Sequence, residues 1–326
     1  MKKTRRERRA SAKDPRAKQA GRTVRGTKGA VLRLIPYDQS FDSLIGAISE
    51  DDLAEIRENE DVYRDTVLIA LSDDRASGVG YLSRGTVNDG ILTVYCTFDV
   101  DPEAPGAVKA GRALLHALKE RFDLLKPLLP VREARLTIFA REESETAAFL
   151  TENGFCPGRT MSVFRNDLKG GFTEVSQKRS VMMPDGSEKE ARIEFLDVSV
   201  PENMERYILA NGRGFGYPDS AKGLLFRVRY WKAGVFAWTC ENEVLSAVTV
   251  WPQRSTAFAT EDVFCVPHAR RQGLTEQLLL FLLKKGKDEG YACADLNVFA
   301  HNEGAIRLYE KCGYERQYDL TEYYAE

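Results

Sequence analysis

One heptapeptide pattern occurs twice in this chain, half its length apart. Ala134-Arg135-Leu136-Thr137-Ile138-Phe139-Ala140 and Ala294-Asp295-Leu296-Asn297-Val298-Phe299-Ala300 share A-x-L-x-[IV]-F-A. The alternation of apolar and polar residues predicts a strand in each. Each strand leads through a few polar residues into a short amphipathic helix that ends at glycine: Asn153-Gly154-Phe155 in the first half, Cys312-Gly313-Tyr314 in the second. Glycine is expected there because a helix commonly leaves through a left-handed residue. Matched order, spacing and residue type mean that one domain has been duplicated.

Upstream of each pair the order is again strand, loop, helix. The second half has a strand at 257–265, the loop Pro267-His268-Ala269-Arg270-Arg271-Gln272-Gly273, and a helix with the apolar run Leu278–Leu283 that stops near Gly290. In the first half the strand is 91–100 and the helix begins near Ala107. Strand, helix, strand at this spacing is a crossover and demands a parallel pair. Earlier hairpin strands, 235–240 with 244–251 around Glu241-Asn242-Glu243, add an antiparallel meander. The expected fold is α/β: two tandem copies, each a mixed sheet flanked by helices. The boundaries read as a tail over 1–29, a first copy over 30–168, a turn-rich connector over 169–190 and a second copy over 191–326.

Charge is distributed unevenly. Residues 1–28 hold twelve Lys/Arg against Glu7 and Asp14, whereas the remainder has 35 basic and 47 acidic residues. A segment so basic and so poor in large apolar side chains is expected to be disordered. It reads either as a solvated extension or as an electrostatic contact to nucleic acid or another acidic surface. No apolar run is long enough to span a bilayer, and the charged N-terminus does not read as a secretory signal. Six scattered cysteines without a C-x-x-C pair, and only three histidines, argue against a metal site and for a reducing, cytoplasmic setting.

The chemistry is concentrated in Glu261-Asp262-Val263-Phe264-Cys265-Val266-Pro267-His268-Ala269-Arg270-Arg271-Gln272-Gly273-Leu274-Thr275. A strand runs into a loop that opens a long helix, which presents unpaired N–H groups at the positive end of a helix dipole and suits a phosphate or diphosphate. Gly273 lets such a group approach the main chain, and Arg270 and Arg271 add charge. Neither a P-loop nor a dinucleotide fingerprint is present. Together with Asn302 and Leu308-Tyr309-Glu310-Lys311-Cys312-Gly313-Tyr314, the segment resembles the GNAT N-acetyltransferase superfamily, closely over about 120 C-terminal residues. The resemblance implies acetyl-CoA as co-substrate. Its pantetheine arm would pair with Val263, Phe264 and Cys265, its diphosphate would lie on Arg270, Arg271, Gln272, Gly273, Leu274, Thr275 and Glu276, and Asn302 would steady it. Cys265 stands where the family usually has Val. Thr275 replaces a usual Gly or Ala, and either crowds the diphosphate or donates a hydroxyl to it.

The resemblance further makes Tyr309 the acid that protonates the departing thiolate, although Ala305, Ile306, Tyr309 and Cys312 also share the spacing of a helix core face. Asn302 equally suits an N-cap. Glu261, on the face expected to carry Val263 and Cys265, is the candidate base for a primary amine, with Asp262 as fallback and a solvated acid pair as the plain alternative. His268 and His301 read as bystanders. In the first copy, alignment on Val100-Asp101-Pro102 puts Pro105 at the arginine and Val108 at the loop glycine, with Gly106 or Gly111 offering a shifted register. Leu150 replaces the tyrosine and Glu143 the asparagine. That copy reads as a degenerate scaffold, an arrangement resembling tandem members of the family. The expected function is acetyl transfer to a primary amine in a ternary complex. The rivals are a CoA-sensing or RNA-associated binder and a protein N-acetyltransferase.

Overall fold

A computed structural model describes residues 22–24, 31–88, 90–254 and 256–326. The chain divides into two units: residues to Phe139 with Leu150–Cys156 and Tyr323–Glu326, and Ala140–Phe149 with Pro157–Glu322. The basic tail lies outside the described residues except for β1 (Arg22–Val24), which pairs antiparallel with β2 (Leu32–Pro36). The nucleic-acid contact considered for that tail therefore falls on residues outside the description. No helix among the described residues is long and apolar enough to cross a membrane.

In the first unit, helices α1 (Asp42–Ile48) and α2 (Glu50–Glu58) precede a meander of β3 (Leu68–Ser72), β4 (Arg75–Asn88) and β5 (Ile91–Val100). Helix α3 (Ala107–Leu125) then crosses to β6 (Glu133–Ala140), which runs parallel to β5 from Ile91↔Glu133 to Tyr95↔Thr137. Leu114, Leu115, Leu118 and Phe122 recur at helical spacing along α3 and are buried, which is why this segment forms a sheet-covering helix. The short helix α4 (Glu145–Glu152) ends the first repeat.

The second unit holds β7 (Cys156–Asn166), β8 (Lys178–Met182), β9 (Glu188–Leu196), α5 (Pro201–Phe215), α6 (Ala221–Tyr230), β10 (Gly234–Cys240), β11 (Glu243–Arg254) and β12 (Ala257–Cys265). It continues with α7 (Leu274–Asp288), β13 (Cys293–Phe299), α8 (Glu303–Lys311) and, as far as Glu322, β14 (Glu315–Ala325). Its strand order is β14-β7-β13-β12-β11-β10-β9-β8. Gly154 and Gly313 have φ of +81° and +84°, as their places after α4 and α8 require.

Two boundaries differ from the sequence expectation. Strand β7 follows the first repeat in sequence, yet it pairs with β13 from Ala294↔Asn166 to Phe299↔Met161 and so belongs to the second unit's sheet. Alternation identifies a strand without naming its partner, and this partner lies far along the chain. The connector read over 169–190 contains β8 and the start of β9, a hairpin that extends the same sheet. The turn residues Pro184-Asp185-Gly186-Ser187 make that hairpin rather than a linker.

Helix α7 approaches β12 closely at Gly286, where a Cβ would come within 2.2 Å of the Phe258 ring. Gly286→Ala is therefore expected to destabilise the second unit by about 2 kcal/mol, through overpacking that outweighs the gain in helix propensity. Thermal unfolding should show a midpoint lower by several degrees, and an unchanged midpoint would mean that Phe258 yields freely.

Candidate active site

The site begins with a break in β12. Thr260, Glu261, Asp262 and Val263 follow one another, and Asp262 adopts a left-handed φ of +46°. Asp is one of the few non-glycine residues that tolerate this conformation. Pairing with β11 shifts there: Ala247 opposes Phe264 but Thr249 opposes Glu261, leaving an extra residue on β12. Such a bulge bends and re-aims a strand. Parallel pairing of β12 with β13 is confined to Ala257↔Cys293, Phe258↔Ala294 and Ala259↔Asp295. Beyond these positions β13 keeps its partner β7 while β12 keeps β11, so two strand edges face each other without pairing. At the vertex the Thr260 hydroxyl lies 3.1 Å from the hydroxyl of buried Tyr314.

The bulge also interrupts the two-residue alternation, so the face expected to hold Glu261, Val263 and Cys265 together does not carry across Asp262. It separates the two acids as well. Glu261 lines a cavity of about 380 Å³ with Ala259, Arg165, Asp295, Asn297 and Tyr318. Burial, reinforced by the Asp262 charge and opposed by Arg227, pushes the Glu261 carboxyl up to about 7. Asp262 is not in that lining and accepts a hydrogen bond from Arg227 Nη2 at 3.0 Å, while the same nitrogen donates to Asp219 at 2.5 Å. Burial raises the Asp262 carboxyl, against the pull of Arg227. Inside the cavity Arg165 donates to both Asp295 oxygens, at 2.7 and 2.8 Å.

The helix start is fixed from several sides. Trp238 Nε1 donates to the Leu274 carbonyl at 2.9 Å, and Arg270 donates to the carbonyls of Cys265 and Gly214. Gln272 holds Met182 by two hydrogen bonds, donating to its carbonyl and accepting from its N–H. Arg270 and Gln272 thus have their side chains engaged with main chain. Arg271 (φ +62°) and Gly273 (φ +77°) are left-handed, a backbone that gathers N–H groups into an anion-binding hollow. Gln277 N–H makes the first helical bond, to the Gly273 carbonyl, so the amides just before it have no intrahelical acceptor. Thr275 was open to two roles; its hydroxyl lies 3.0 Å from Ser246 Oγ and so is engaged with β11. Glu276 pairs with Lys311 at 2.7 Å. Burial raises the Cys265 thiol, which leaves it a small protonated group beside the loop.

Asn302 caps α8, accepting from the Ala305 N–H at 3.2 Å, and its amide N–H groups keep donors to spare. Tyr309 is buried, its ring edge-on to Tyr314 at 6.1 Å between centroids. Its hydroxyl has no hydrogen-bond partner among the described residues, and burial raises its pKa. His268 sits 3.6 Å from Glu243, and His301 stacks on Phe299; neither lines the cavity.

Residues 203–314 match the family model of the GNAT acetyltransferases. The second unit holds a GNAT domain. No curated protein matches the chain. Among solved structures, a GCN5-related N-acetyltransferase from Sphaerobacter thermophilus is similar at 17% identity and a TM-score of 0.56, over 90% of this chain and 95% of its own. A putative acetyltransferase from Pyrococcus horikoshii gives 13% and 0.55, over 93% and 91%. A tandem GNAT protein from the clavulanic acid biosynthesis pathway gives 14% and 0.62, over 90% and 98%. Likeness over nine-tenths of the chain carries the tandem GNAT fold across both halves.

The first copy repeats the scaffold of the GNAT domain with different side chains. Its α3 also begins after a left-handed glycine, Gly106 at φ +78°, so the loop glycine is Gly106 rather than the aligned Val108. The residues before it are Asp101-Pro102-Glu103-Ala104-Pro105, which place Glu103 where Arg270 stands in the second copy and Ala104 where Arg271 stands. Leu150 is wholly buried, and Glu143 is exposed.

Proposed function

We propose that the GNAT domain transfers an acetyl group from acetyl-CoA to a primary amine by direct attack in a ternary complex. The observation that carries this reading is the parting of β12 and β13 after Ala259 and Asp295, with Glu261 in the cavity there and unpaired amides at the start of α7. The loop amides from Arg271 onward suit the diphosphate, and the free edge of β12 suits the amide-bearing arm, which would add to it like a strand. Arg165 and Asp295 leave the cavity polar, fitted to a hydrogen-bonding amine rather than a greasy one.

Glu261 accepts a proton from the ammonium, directly or through one water, and so delivers a neutral nucleophile. A carboxyl held near 7 is half ionised at neutral pH, where a base works best. Nitrogen bonds to the thioester carbonyl carbon, the carbon–sulfur bond breaks, and sulfur takes a proton from Tyr309. The second proton leaving nitrogen reaches solvent, and the phenol is reprotonated from solvent. The products are an N-acetyl amine and a free thiol.

Calorimetry with acetyl-CoA and a thiol-release assay over a panel of small amines test this reading together. Micromolar binding with amine-dependent thiol release is expected. Binding without release for any amine, or for an N-terminal peptide, would leave a CoA-responsive binder instead.

A further inference from the structure

Strand β8, outside the stretch that matches the GNAT family, brings a cation to the start of α7. Along β8 the burial alternates, with Arg179 and Val181 on the inward face and Lys178, Ser180 and Met182 outward. The Arg179 guanidinium reaches Gly273: a Cβ on that glycine would lie 3.1 Å from Nη1 and 3.6 Å from Nη2. Gln272 fixes the approach, since its two hydrogen bonds to Met182 clamp β8 to the loop.

This placement is electrostatically costly by itself. A guanidinium beside a helix N-terminus sets positive charge against the positive end of the dipole. Neighbouring basic residues on the hairpin find carboxylates: Lys178 pairs with Glu190 at 3.5 Å and Arg192 with the same acid at 2.9 Å. Arg179 has no acid or carbonyl partner among the described residues. It leaves the loop amides without an acceptor, because a guanidinium has donors only. Donors of the loop and donors of Arg179 therefore lie side by side, an arrangement suited to an anion.

We infer that Arg179 binds the diphosphate of the acyl-CoA co-substrate, closing over it opposite the α7 amides. The inference rests on the proposed use of that loop and adds a residue from the hairpin to it. It also accounts for the β8–β9 hairpin being pinned to the loop rather than left as a connector.

The test is calorimetric binding of CoA, 3′-dephospho-CoA and acetyl-pantetheine to the full chain and its Arg179→Ala and Arg179→Lys variants. Loss of one charge-assisted contact should weaken CoA binding about tenfold in Arg179→Ala, with partial recovery in Arg179→Lys. The loss should be equal for 3′-dephospho-CoA, absent for acetyl-pantetheine, and smaller at high salt. Unchanged CoA affinity in Arg179→Ala overturns the inference, and so does a loss that disappears with 3′-dephospho-CoA, which would move the contact to the ribose phosphate. Should Arg179→Ala melt early, Arg179→Lys read against the same three ligands decides the matter. Failure of the unsubstituted protein to bind CoA would instead sink the proposed function.

Discussion

Tyr309→Phe is expected to lower kcat by about 10²- to 10³-fold while leaving acetyl-CoA affinity within about twofold. The ring packs against Tyr314 and helps fill the core, and phenylalanine keeps that contact. The hydroxyl has no hydrogen-bond partner among the described residues, so its removal costs folding little. In the proposed reaction it is the proton donor to sulfur. Burial keeps the phenol protonated across the working pH range, so the proton is always present. The same burial makes the phenol a weak acid, which places proton transfer late, as negative charge appears on sulfur. Removing an interaction made only in the transition state lowers kcat without raising KM. Steady-state kinetics with a thiol probe, alongside calorimetry, checks this, and equal turnover by the variant would retire Tyr309 as the acid.

Much of this architecture could be read from the chain because it rests on local signals. The strands at 91–100 and 257–265 and the helix start at Ala107 fall where alternation, proline and glycine put them. The repeated crossover followed from spacing alone. What escaped was long-range or depended on a single backbone angle. β7 has the alternation of any half-buried strand, and nothing in its residues specifies β13. The bulge at Asp262 turns on one aspartate adopting a left-handed angle, held by Arg227 and Asp219 from α6 and the preceding turn. An acid pair in a strand carries no sign of that network, so the preference for Glu261 over its fallback Asp262 rested on the expected strand face and not on the ion pair that engages Asp262. Arg179 was hidden by its surroundings: a stretch rich in Gly, Pro, Asp and Ser reads as a connector, and a basic residue within it as solvated. The useful signal, an inward-facing arginine next to Val181, appears only once the hairpin is recognised as two strands. The first copy was legible as degenerate because Leu150 and Glu103 are changes of chemistry, whereas matching on Pro102 left Val108, Gly106 and Gly111 open as the loop glycine, and the left-handed angle that decides for Gly106 is seen only in the fold.

Glu261→Gln should change two pH dependences at once, and their signs differ. In the unsubstituted protein kcat/KM for the amine should rise with pH and level off near 7, as the carboxyl ionises and becomes a base. The glutamine variant keeps size and hydrogen bonding but cannot take a proton, so this limb should vanish and the rate at pH 8 fall about 10²-fold. Stability runs the other way. The folded carboxyl holds its proton up to about 7, against 4.5 for the ordinary group, so the folded state binds more protons across that interval. Unfolding then releases a proton, and stability declines as pH rises from about 4.5 to about 7. Glutamine removes that decline. Relative to the unsubstituted protein, the variant should gain up to about 3 kcal/mol between pH 5 and pH 8, seen as a midpoint difference that grows with pH. The two readouts separate location from role. A stability gain with an unaltered rate profile would leave Glu261 a buried acid near the gap while the base is another group. Loss of the kinetic limb together with the gain ties the energy of keeping a carboxylate poorly solvated to the reaction it serves.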